Sequence, residues 1–155
     1  MTFKNNARWP LLALRLVVGY GFVAHGYAKL GRGADGFATI LQHPNVPMPT
    51  LAAWLTIGTE ILGGVAMLLG ALVAWASIPM AFVLVVAALA VHLQYGFSSI
   101  RLLGVSASGA TFGPVGYELD QLYIVALLTL ALEGPGPFAI DNSRRRVKLR
   151  EVLEK

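Results

Sequence analysis

Cysteine is absent from all 155 residues. Disulfide exchange, thiolate catalysis and cysteine-ligated zinc or iron–sulfur centres are therefore excluded within this chain. Charge is scarce too: only 13% of residues are Asp, Glu, Lys or Arg, and none falls between Ile61 and Val91. A water-soluble domain needs charge to cover its surface, so this chain expects a lipid bilayer as its partner. No internal repeat is found. No dinucleotide fingerprint is found either, since Gly31-Arg32-Gly33 follows an apolar helix rather than a strand. The net charge of +4 does not form a nucleic-acid patch, so no nucleic acid is expected. The basic residues gather at the two ends instead, in Lys4 and Arg8 and in Arg144, Arg145, Arg146, Lys148, Arg150 and Lys155.

What is present is apolar length. The chain is 56% hydrophobic, with a mean hydropathy of +0.66. A helix crossing about 30 Å of hydrocarbon needs roughly 20 residues. Leu11–Leu30, Leu51–Gly70 and Trp75–Tyr95 meet that length, and Tyr117–Leu132 approaches it. These spans predict an all-α polytopic membrane protein, a bundle of four transmembrane helices over residues 1–141 with a basic tail over 142–155. Arg15 interrupts the first apolar run and no small-residue cleavage site follows, so that run reads as a retained span rather than a signal peptide.

The short Gly70–Ala74 link makes the second and third spans a hairpin. Gly31–Thr50 is bounded by Gly and Pro, and Phe37, Ile40 and Leu41 predict a short helix lying on the membrane surface. Gly96–Gly116 is rich in Gly and Ser and carries no periodic signal. The end-loaded basic residues put both termini in the cytoplasm, and Trp9, Trp54, Trp75, Tyr95 and Tyr117 fall near span ends as interfacial aromatics.

Several ionisable residues lie inside these apolar spans. Arg15, His25 and Lys29 share a broad face of the first, Glu60 sits mid-way along the second, His92 ends the third and Glu118 begins the fourth. Each costs roughly 2.5–3.5 kcal/mol to insert, so such groups face a protein interior and often mark a working site. Their depths put His25, Lys29, Glu60, His92 and Glu118 in the outer half of the bundle, around a pocket that opens outward, with Arg15 reaching towards Glu60 from the cytoplasmic side.

Simpler roles stand beside this one. Arg15 and Lys29 can snorkel to opposite interfaces, Glu118 can be a helix-start acid favoured by the helix dipole, and His25 and His92 can be structural. Glu60 cannot snorkel from mid-membrane. It must be paired with Arg15, His25 or Lys29, or be protonated. Gly63 and Gly64 one turn after the acid, and Gly19 and Gly26 on the first span, predict close helix approach.

This pattern resembles the DoxX family of small four-helix bacterial membrane proteins. The likeness rests on Arg15, on His25-Gly26-Tyr27-Ala28-Lys29 and on Gly36-Phe37. It continues through Glu60-Ile61-Leu62-Gly63-Gly64, His92, Gly116-Tyr117-Glu118, Gly134-Pro135-Gly136 and Asp141. The resemblance implies a multi-pass protein of the bacterial inner membrane that serves as an oxidoreductase component, with relatives linked to quinone-coupled sulfur oxidation and oxidative-stress complexes. It also implies that Arg15, His25, Lys29, Glu60, His92 and Glu118 line the site.

The expected function is thus a redox-associated subunit that binds a quinone or another small amphipathic molecule. His25 or His92 would donate a hydrogen bond, Glu60 would carry a proton, and Arg15 or Lys29 would set the charge state of Glu60. Electrons would come from a partner protein, and homo-oligomers are compatible with the pattern. A haem ligated by His25 and His92 is the remoter cofactor reading. The alternative function is a non-enzymatic assembly or scaffold subunit whose buried charges specify helix pairing. A transporter is disfavoured by the lack of a repeat or a broken-helix pair.

Overall fold

The computed structural model describes residues 8–43 and 45–143. Helix α1 runs Trp9–Gly31, with Pro10 in its first turn, where a missing N–H costs nothing. A short helix α2, Ala34–Gln42, leads to α3, Pro49–Leu69, which again opens on proline. Helix α4, Val73–Ala87, continues through a π turn, Ala88–His92, into a 3-10 turn, Leu93–Tyr95. Strands β1, Leu102–Ser106, and β2, Gly109–Phe112, form an antiparallel hairpin. Helix α5, Glu118–Glu133, closes the fold. Among the described residues α1, α3 and the rod Val73–Tyr95 are long and apolar enough to cross a membrane. The 16-residue α5 is shorter than a spanning helix.

Helix α1 packs on α3 and α5, and α4 packs on the same two helices. The α1–α3 contact is made by glycine. A Cβ at Gly19 would stand 2.9 Å from the Gly64 carbonyl oxygen, and one at Gly64 would stand 2.8 Å from that of Gly19. Side chains at either position would force the backbones apart, as the sequence predicted. Val18, Phe22, Met67, Val73, Met80, Leu127 and Leu130 fill the centre. Around them Val17, Leu62, Trp75, Phe82 and Leu132 point outward and exposed, which suits a lipid-facing surface.

Two local features depart from expectation. Helix α2 turns most of its apolar face onto α3 rather than leaving it open. Ala38 and Leu41 pack on Ala53 of α3, while Ile40 stays exposed. The Gly96–Gly116 segment is not featureless either, since it holds the β hairpin. A bulge between Leu102 and Gly104 breaks the two-residue alternation and hides the strand from a periodicity reading.

The turn between α3 and α4 is tied to the chain that follows α5. Gly70 closes α3 at φ +66°, and a Cβ there would strike Arg15 and Ala139. Both carboxylate oxygens of Asp141 accept N–H bonds at the start of α4, from Leu72 at 2.8 Å and Val73 at 3.0 Å. Asp141 thus acts as an N-cap supplied from a distant part of the chain. Trp9 and Phe138 meet edge to face, so the start of α1 packs on the segment that follows α5. The basic cluster Arg144–Arg150 lies outside the described residues, as do Lys4 and Lys155.

Candidate functional site

Glu60 is buried on the face of α3 that meets α1. Lys29 donates to both its carboxylate oxygens, at 2.6 and 2.7 Å, and lies 5.3 Å from the centre of the Phe37 ring. A paired charge inside the fold is stabilised by Coulomb attraction and by the ring's negative face. The pair joins α1 to α3, with Phe37 of α2 over the cation. Lys29 therefore turns inward rather than snorkelling.

Arg15 takes a different partner from the one expected. Its side chain is 1% exposed, and its two terminal nitrogens donate to the carbonyls of Pro135, at 3.0 Å, and Pro137, at 3.4 Å. Nε meets no acceptor among the described residues. Arg15 thus fastens the loop after α5 at the end of the helices where α1 begins, away from Glu60, whose partner is Lys29.

His92 lies at the end of the π turn, where an inserted residue rotates the helix face. Its Nδ1 is 2.6 Å from Oδ2 of Asp120, a residue the sequence reading passed over in favour of Glu118. The signal was available. Asp120, Tyr123, Leu127 and Leu130 follow at three- and four-residue spacing, the inward stripe of α5, and Asp120, Leu127 and Leu130 are buried. An ionised aspartate only accepts, so it holds the proton on Nδ1 and leaves Nε2 free for other chemistry. Glu118 serves the loop instead, its Oε2 accepting from the Ser99 N–H at 2.9 Å.

His25 shares α1's inward stripe with Arg15, Val18, Phe22 and Lys29. Arg15, Val18 and Phe22 are buried, yet His25 is exposed. The side chains of Lys29 and His92 are also partly open, at 22% and 28%. The helices are thus less tightly closed at the end nearer the β hairpin than around the apolar centre, where Phe22 and Tyr123 meet edge to face. Because α1 and α4 are each packed between α3 and α5, His25 and His92 stand on diagonal helices. Among the described residues no three His, Asp or Glu side chains converge as a metal site would require.

A mostly helical chain with three span-length apolar helices, exposed apolar flanks and charges paired between helices is an integral membrane protein. The DoxX family profile matches residues 10–93, more than half of the chain, and the protein belongs to that family. It is 32% identical over 143 residues to an uncharacterized protein of Haemophilus influenzae, covering 85% of this chain and 88% of that one. No solved structure matches it.

Proposed function

We propose that the protein is a redox-associated subunit of the bacterial inner membrane that binds a quinone or a similar small amphipathic molecule. The site is the polar end of the helices nearer the β hairpin, and electrons come from a membrane-complex partner. The observation that carries this reading is the His92–Asp120 pair, a histidine oriented by a buried aspartate where burial on the inward helix faces falls away. With Nδ1–H held by Asp120, a protonated His92 donates from Nε2 to a quinone carbonyl. It passes that proton on as the ring gains electrons and regains one when quinol is oxidised. Glu60 serves as the buried proton carrier and Lys29 as the charge that fixes its state. His25 lines the opening, Glu118 braces the loop beside it, and Arg15 braces the opposite end of the helices.

In this reading α5 is a fourth crossing. Its 16 residues rise about 24 Å at 1.5 Å each and draw on flanking residues or a locally thinned bilayer. Residues 1–141 then form the membrane domain, both termini are cytoplasmic, and the outward opening faces the other side. The clustering of basic residues at the chain ends supports this orientation.

A second reading is an assembly subunit, favoured by the fact that Lys29–Glu60 and Arg15 with Pro135 and Pro137 each link separate segments of the fold. The test is quinone content and quinone-linked turnover of native-membrane preparations carrying Asp120→Asn. Normal accumulation with turnover reduced at least tenfold is expected. Wild-type turnover would reject the dyad's role, and parallel loss of protein and partner recovery would favour assembly.

A further inference from the structure

The β hairpin carries an unclaimed surface. Its pairing register sets Leu102 opposite Phe112, Gly104 opposite Thr111, Val105 opposite Ala110 and Ser106 opposite Gly109. Paired residues share a face, and Ala110 and Phe112 alternate to the same side of β2. Leu102, Phe112, Val105 and Ala110 therefore form one face, and Gly104, Thr111, Ser106 and Gly109 form the other. The bulge at Leu103 makes this segregation possible, because it brings Leu102 and Val105, three residues apart, to one side. Every residue from Arg101 to Phe112 is exposed, with Val105 74% open. This is a one-sided apolar sheet with nothing over it among the described residues.

We propose that this hairpin lies flat on the membrane leaflet at its end of the protein, its apolar face seated on phospholipid at the headgroup–acyl boundary. Three observations select lipid as the occupant. The chain beside it exposes apolar side chains at the same end of the fold, Leu93, Phe97, Leu119 and Leu122. The root is rigidly held at the start of α5: Glu118 N–H donates to the Phe97 carbonyl at 3.0 Å, Gly116 N–H to that of Ser98 at 3.0 Å, and Ser99 N–H to the Glu118 carboxylate. The hairpin thus leaves from a fixed height at the ends of α4 and α5. The third is charge. Between Tyr95 and Tyr117 the single charged residue is Arg101, at the foot of the hairpin, complementary to lipid phosphate.

The open strand edges set the depth. Unpaired N–H and C=O groups are not tolerated in hydrocarbon, but water and headgroups satisfy them at the boundary. The hairpin is thus an interfacial anchor and not a re-entrant span. This inference requires membrane embedding alone and does not depend on the quinone reading.

The absence of cysteine permits a clean test. Full-length Val105→Cys and Ser106→Cys variants would be labelled with an environment-sensitive fluorophore in phosphatidylethanolamine–phosphatidylglycerol vesicles. Quenching by shallow-brominated lipid should be at least twofold stronger for Val105→Cys, and iodide quenching at least twofold weaker. Equal access of both labels to iodide would overturn the proposal, because the hairpin would stand in water. A Val105→Cys label shielded from iodide and brominated lipid alike would also overturn it and assign the face to protein. Release of that shielding on dilution into excess lipid would identify a second copy of the chain. Ala110→Cys, on the same face, repeats the reading if Val105→Cys accumulates poorly.

Discussion

Glu60 illustrates how far a single residue can be read. An acid at mid-span needs a neutralising partner, and that need is visible in the sequence. The choice among Arg15, His25 and Lys29 is not, because it depends on helix rotation and on where each long side chain bends. Lys29 takes the place and Arg15 bonds to carbonyls elsewhere. Removing only one charge of a buried pair strands the other, at about 3–5 kcal/mol, whereas an apolar replacement of both is far milder. Lys29→Met should therefore destabilise the protein strongly in detergent unfolding experiments. Adding Glu60→Leu should recover most of the loss, and equal stability of the wild type and Lys29→Met would show that the pair carries no such weight. Asp120 was missed for a related reason. It lies two residues from Glu118, and only the phase of the α5 inward stripe distinguishes the buried acid from the loop-binding one.

Among the elements, helix boundaries follow closely from proline and glycine: Pro10 and Pro49 lie in first turns, and Gly70 closes α3. The capping of α4 does not follow from local sequence, since its acceptor comes from Asp141 across the fold. Replacing an N-cap acid by alanine costs about 1 kcal/mol. Asp141→Ala should lower the unfolding free energy by that amount and raise hydrogen exchange at Leu72 and Val73. Unchanged exchange at those two amides would reject the cap. The hairpin shows the opposite limit. Its residues have strand character, yet the bulge shifts the phase between Leu102 and Val105, so no fixed period finds its apolar face.

For the molecule as a whole, membrane residence is legible because hydropathy accumulates residue by residue, independently of packing. Crossing number is harder, since α5 falls short of span length. Cysteine variants decide it. On intact cells, a membrane-impermeant maleimide should label Ser108→Cys directly and Ser143→Cys only after permeabilisation. Labelling of both without permeabilisation would mean that α5 does not cross, and the reverse pattern would invert the orientation.

Composition and apolar length by themselves determined a helical membrane protein, the approximate extent of its long helices, and the requirement that their buried charges be satisfied. Each of those is a local property or a sum of local ones. Tertiary structure alone decided that Lys29 meets Glu60, that Asp120 orients His92, that Arg15 holds the Pro135–Pro137 loop and that Asp141 caps α4. Successive residues turn by about 100° on a helix, so a partner's identity depends on the rotation and offset of two helices at once. Those are set by close contacts such as Gly19 against Gly64, where the packing surfaces of distant segments first meet.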